Sequence, residues 1–155
     1  MSVENTQNPA DAEQFGIQNV YIKDISFETP NSPQIFMEEW KPQMDMELSN
    51  NINKLQEDLF EVVLKITATV KVGEKTAFLI EVHQAGIFLI KGLAQDKLSY
   101  ILNSYCPNIL FPFARELITS TVTRGGFQPL LLAPINFETL YAQQQEEESQ
   151  KNTPN

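Results

Sequence analysis

Residues 60–82 read FEVVLKITATVKVGEKTAFLIEV, and the order of apolar and polar side chains in this stretch decides the fold. Phe60, Val62, Leu64, Ile66, Ala68, Val70 and Val72 recur at every second position, with Glu61, Lys65, Thr67, Thr69 and Lys71 between them. Successive side chains of an extended chain point to opposite faces, so this period predicts a strand with one dry and one wet face. Only Val63 breaks the alternation. Gly73, Glu74 and Lys75 then supply a turn, after which Phe78, Ile80 and Val82 alternate with Leu79, Glu81 and His83. The two runs are expected to form an antiparallel hairpin, with Gly86 as a bulge or an end of its second arm.

Working outward, Met44, Met46 and Leu48 alternate with Asp45 and Glu47, and Ile25 and Phe27 alternate with Asp24, Ser26 and Glu28. These are two more strands. Val20 and Ile22 stand in the opposite phase to Ile25 and Phe27, which predicts a bulge or sharp twist near Lys23. The connection ETPNSPQIFMEEWKPQ, residues 28–43, carries prolines at 30, 33 and 42 and the only tryptophan. Proline removes a backbone donor and restricts its neighbour, so no regular structure is expected between Thr29 and Trp40. A loop of this length is as a rule functional or disordered, and Phe36, Met37 and Trp40 argue against disorder.

Helices follow the strands. Leu98, Ile101, Leu102 and Tyr105 recur at i, i+3, i+4 and i+7, and Pro107 is expected to interrupt that stripe. In PNILFPFARELITSTVTRGG, residues 107–126, Pro107 and Pro112 fit near a helix start or a kink, and Gly125 and Gly126 supply a stop. Leu110, Phe113 and Leu117 form one apolar stripe of this helix; Phe111, Ile118 and Val122 form another. A four-stranded sheet covers the first, so Phe111, Ile118 and Val122 are expected to meet another copy of the chain. Asn136 is a credible cap, with Glu138 in the first turn, for a final helix ending around Gln145. The polar residues 1–16 predict a flexible segment, residues 17–145 one domain, and the Glu-rich residues 146–155 a disordered acidic tail.

Composition excludes several classes. The 155 residues suit one domain, and eleven basic against twenty acidic residues leave a net charge of −9, which opposes a phosphate backbone. No nucleic-acid partner is expected. The single Cys106 forms no internal disulfide, and MSVENTQNPADAEQ has neither the basic start nor the apolar run of a signal peptide, so a cytoplasmic location is expected. Apolar runs break well short of the roughly 20 positions that span a bilayer, so no direct membrane insertion is expected.

Residues that carry chemistry are few. The only histidine, His83, stands on the wet face of its strand with no nucleophile beside it in sequence. Cys106 reads as a structural thiol, and one Cys with one His does not make a zinc site of ordinary spacing. Arg124-Gly125-Gly126 lacks the setting of a phosphate loop, and the acid pairs Glu38-Glu39 and Glu57-Asp58 read as solvated charge. Neither an enzyme nor a cofactor is expected.

YIKDISFETPNSP (21–33), EVVLKITATVKVGEKTAFLIEVHQAGIF (61–88), YCPNILFPFARELITSTVTRGGF (105–127) and LAPINFETLY (132–141) resemble the bacterial protein-export chaperone family SecB, along nearly the whole span from Tyr21 to Tyr141. The resemblance implies an α+β fold, a four-stranded antiparallel sheet with helices on one face, assembled as a homotetramer from two dimers. It also implies ATP-independent binding of unfolded precursor proteins and their delivery to SecA, the motor ATPase of the export translocase. In that family the crossover between the first two strands helps to form an apolar client groove, for which Phe36, Met37, Trp40, Met44, Met46 and Leu48 are the candidates here. Flexible methionines beside flat aromatic rings suit many different clients. Asp24, Glu28, Leu79 and Glu81 match the family's positions for docking the motor ATPase, and the strand parities put all four on the wet face. The alternative is an acidic oligomeric binding module with a different hydrophobic peptide or small-molecule ligand, which would call for convergent polar groups in the groove.

Overall fold

The predicted hairpin is the centre of the sheet. In the computed structural model, which describes residues 12–153, β3 (Leu59–Val72) and β4 (Lys75–Lys91) pair antiparallel about a turn where Gly73 has φ +61°, a backbone that favours glycine. β2 (Pro42–Gln56) pairs with the free edge of β3, and β1 (Gln14–Glu28) with the free edge of β4, all antiparallel, in the order β1-β4-β3-β2. The first two strands therefore lie at opposite edges. Their connection must pass over the two central strands, a distance of about 14 Å at the usual strand spacing. It does so with one 3-10 turn, Gln34–Met37, where the sequence predicts no regular structure, and it is anchored by Ile35, 3% exposed.

Phe60, Val62, Leu64, Ile66, Ala68 and Val70 of β3 and Phe78, Ile80, Val82 and Phe88 of β4 are buried on one face, under the helices. Gly86 neither bulges nor ends β4, which continues to Lys91; a Cβ there would meet the Phe88 ring at 2.8 Å and Leu110 at 3.1 Å, so glycine leaves room for both. The register of β1 does shift between Ile22 and Asp24, as the opposed phases predict, and shifts again between Ile17 and Asn19. β1 also begins before residue 17, because Gln14 to Gly16 pair with Leu89 to Lys91.

α1 (Gln95–Tyr100), a π-helical turn (Ile101–Tyr105) and α2 (Cys106–Arg124) follow one another without a break, so Pro107 does not interrupt the helix. Cys106 N–H bonds to the Ile101 carbonyl, five residues back, and the wider turn accommodates the donor missing at Pro107. The faces of α2 also differ from the sequence reading. Leu110, Phe111, Ala114, Ile118 and Val122 are all buried, whereas Phe113 is 51% exposed and Leu117 half-buried. Spacing of four from Leu110 to Val122, with the small Ala114 in the middle, lets the helix lie close on the sheet and defines one buried stripe. Phe111, Ile118 and Val122 are thus core of this chain and not a surface for another copy. α3 (Phe137–Lys151) is capped as expected, Asn136 Oδ1 accepting from Thr139 N–H at 3.0 Å. It runs beyond Gln145 to Lys151; residues 1–11 and 154–155 of the segments expected to be flexible lie outside the described residues.

Candidate functional site

The helices cover β3 and β4 and leave both margins of their face of the sheet open. At the β2 margin the core continues outward through Phe127, which follows the stop of α2. Its ring lies 4.9 Å from Phe78 in the sheet, 5.1 Å from Phe36 and 5.7 Å from Trp40 in the crossover. Two contacts clamp the crossover ends: Asn31 Nδ2 donates to the Thr76 carbonyl at 2.9 Å, and Lys75 Nζ pairs with Glu38 at 2.7 Å. Loop aromatics thereby become a wall. Trp40, Met44, Val70 and Phe78 with the 128–130 segment line a cleft of about 230 Å³.

The six residues expected at a groove divide along this margin. Met37 is 86% exposed, and Phe36 (45%) and Met44 (46%) are exposed beside the cleft. Trp40 and Met46 are half-buried against the core. Met44, Met46 and Leu48 share the helix-side face of β2, opposite Val70, Ala68 and Ile66. Leu48 belongs to a second, smaller cleft of about 180 Å³, closed by Phe137, Leu140 and Tyr141 of α3. The surface is therefore a broken apolar strip, with Phe127 and α3 as contributors that the sequence reading did not include. Phe127 follows a glycine pair in a turn-rich segment, and no periodicity marks it.

The opposite face of the sheet gathers the acids. Register pairs Asp24 with His83, Ser26 with Glu81 and Glu28 with Leu79, so Asp24, Glu28, Leu79 and Glu81 stand side by side across β1 and β4. Glu81 accepts from Thr67 Oγ1 at 3.1 Å and lies 3.2 Å from His83 Nε2 and 3.4 Å from Lys65 Nζ. The Thr67 hydrogen bond, and then His83 and Lys65, hold its carboxyl below the usual range against a smaller effect of burial. Ligand atoms of Asp24, Glu81 and His83 lie within 4.8 Å of one another, a grouping that spacing in the sequence does not reveal; the Glu81 oxygens are occupied by Thr67, Lys65 and His83.

One end of this face is not wet. Glu61, which alternation puts outward, is 8% exposed, and Val63 beside it is buried, as is Ala85 on β4. Tyr21 and Lys23 reach from β1 across β4: the Tyr21 hydroxyl donates to Glu61 Oε2, and Lys23 Nζ lies 2.8 Å from Oε1, which also accepts from Asn53 Nδ2 at 2.9 Å. Burial alone would raise the Glu61 carboxyl, but the hydrogen bonds from Lys23, Tyr21 and Asn53 outweigh it and hold the pKa at about 2. Burial, then the bond and charge of Glu61, push Tyr21 up to about 12. Val63, the one break in the alternation, was the signal for this dry patch.

Nothing in these surfaces is arranged for catalysis. Cys106, the first residue of α2, is buried, and desolvation pushes its thiol up to about 12, far from a reactive thiolate. In the cleft of about 400 Å³ before α3, Ser104 Oγ donates to the Tyr100 carbonyl at 2.6 Å, Asn136 caps α3 and Glu138 accepts from Tyr100. These polar groups are spent on the fold itself, and do not converge on a ligand. Among the described residues no helix is long and apolar enough to cross a membrane.

A sequence profile of the family described as SecB, preprotein translocase subunit SecB, matches residues 7–148. The chain is 56% identical over 146 residues to the protein-export protein SecB of Nitrosococcus oceani, covering 93% of this chain and 89% of that one. It is 52% identical over 154 residues to the protein of the same name from Methylococcus capsulatus, covering 99% and 97%. Among solved structures it is similar, with a TM-score of 0.66 at 14% identity over 78% of this chain and 90% of the other, to a SecB-like chaperone of Mycobacterium tuberculosis in complex with a ChAD peptide from the HigA1 antitoxin. At that identity the likeness is one of fold.

Proposed function

The chain belongs to the SecB family of protein-export chaperones, a family without enzymatic activity, and from that membership we propose that it binds unfolded precursor proteins without ATP in the cytoplasm, keeps them competent for export and delivers them to SecA. The observation that carries this reading is the apolar strip at the β2 margin, where Phe36, Met37 and Met44 stay exposed beside a cleft floored by Phe78 and Trp40. Exposed apolar side chains clustered beside an apolar cleft mark a place where another apolar segment is bound. Two methionines and flat rings accept many side chains, and the divided strip suits an extended segment better than a compact ligand. Asp24, Glu28, Leu79 and Glu81 are the proposed docking face for a basic surface of SecA.

Assembly as a homotetramer, a dimer of dimers, is part of the same proposal. Phe15, Ile17, Ile22 and Ile25 lie exposed on the helix side of β1 as a second apolar margin, and Phe113 is exposed on α2; these are the two surfaces we assign to contacts between copies. Several strips in one particle bind one long client with the gain in effective concentration that multivalency brings.

The test is to replace Met37 and Met44 together by serine. Both are exposed, so the fold is retained, which circular dichroism and particle size check. Affinity for an unfolded precursor should fall by about tenfold, the equivalent of some tens of Å² of apolar contact at each site. Unchanged affinity in an intact particle removes the β2 margin from the site. Independently, Glu81→Lys should weaken SecA binding, and that binding should weaken with salt, while client binding is unaffected.

A further inference from the structure

We infer that the Tyr21, Lys23, Glu61 and Asn53 cluster is a positioning device: it fixes where in β1 the bulge falls and so turns Asp24 onto the docking face in line with Glu28, so that a buried carboxylate governs partner docking. The inference rests on the docking reading above. Before the bulge, Asn19 and Tyr21 point to the outer face, opposite Ile87 and Ala85; after it, Asp24, Ser26 and Glu28 do so, opposite His83, Glu81 and Leu79. Without the extra residue the outer positions would fall on Lys23, Ile25 and Phe27, because a slip of one residue turns every side chain to the other face.

Phe27 packs on Phe78 with ring centroids 5.9 Å apart and thereby pins the far phase of the strand. It does not choose where between Ile22 and Ile25 the extra residue sits. That choice falls to the residue with a bond of its own: Lys23, unpaired in the ladder, holds Glu61 at 2.8 Å, with Tyr21 holding the other oxygen from the preceding outward position. Ala85, fully buried beneath them, is small enough for both side chains to cross β4. β1 is an edge strand with one neighbour, so a bond reaching the second strand in constrains it more than the ladder alone. The low pKa of Glu61 accords with a carboxylate that stays charged and bonded throughout the physiological range.

Lys23→Met decides the matter, because charge and position predict opposite signs. Removing a positive charge beside an acidic face should by itself strengthen binding of a basic partner. Displacement of the bulge, which takes Asp24 off the docking face, should weaken it, by about tenfold on purified SecA at low salt, the equivalent of one charge-assisted hydrogen bond. Amide exchange at residues 22–25 should accelerate in Lys23→Met and remain slow in Lys23→Arg, which retains SecA affinity. Affinity for an unfolded precursor should be unchanged in both. Glu61→Gln should weaken SecA binding as well, and should return the Tyr21 phenol titration from about 12 towards its ordinary range. Equal or tighter SecA binding by Lys23→Met overturns the positioning role. Absence of SecA binding by the unaltered protein overturns the docking reading instead, and if Glu61→Gln fails to fold, Lys23→Met and Lys23→Arg still decide.

Discussion

Phe127 illustrates how much a single side chain settles. Only 7% exposed, it is surrounded by rings from the sheet and the crossover, so its removal leaves a cavity under both. Phe127→Ala should cost about 3–5 kcal/mol, read as a lowered denaturation midpoint, with the Trp40 emission moving towards that of a solvated indole. Glu61 sets a second expectation. Its folded pKa of about 2 lies below the value of an unfolded carboxyl, so it contributes stability that is complete above about pH 4.5 and lost as pH falls towards 2. Acid titration of stability should therefore be flatter in Glu61→Gln across that window. Neither role is legible from residue type: Phe127 stands among turn residues, and Glu61 has the parity of a solvated side chain.

Among the elements, the strands were legible because period two is a local property, and β3, with a dry side at every alternate position, states it plainly. α2 was less so. Its two apolar stripes differ by a fraction of a turn, and both contribute buried residues, whereas Phe113 is exposed and the small Ala114 marks the side that lies against the sheet. Pro107 predicts a break because proline lacks a donor; a single π-helical turn absorbs the defect, and that wider turn has no sequence signature. α3 was recognised by its cap. Asn136→Ala removes the acceptor of the Thr139 N–H and should cost about 1 kcal/mol, measurable as a lower thermal midpoint with no change in particle size.

For the whole molecule the same face of the sheet has three parts: a covered centre, a β2 margin proposed for clients and a β1 margin proposed for other copies. Light scattering at micromolar concentration should find an assembly larger than the 17.6 kDa chain. Ile25→Lys together with Phe113→Lys should dissociate it into folded chains, since a charge is not desolvated cheaply in an interface. Ile118→Glu should instead unfold the chain, because Ile118 is fully buried within one copy. A stable monomer of the unaltered protein would remove the assembly from the proposal.

By itself the sequence determined the four strands, their two faces, the bulge near Lys23, the stop and cap of the helices and the family, because alternation, caps and turns are written in neighbouring residues. Tertiary structure decided which stripe of α2 is core, that Phe127 joins the crossover to the sheet, that α3 closes one cleft, and that Glu61 is buried. Each of these depends on what lies across a space from a residue: a ring two elements away, or a tyrosine and a lysine reaching over an alanine on the intervening strand. No local pattern encodes that neighbour, since its position follows from strand order and helix placement once the whole chain has packed.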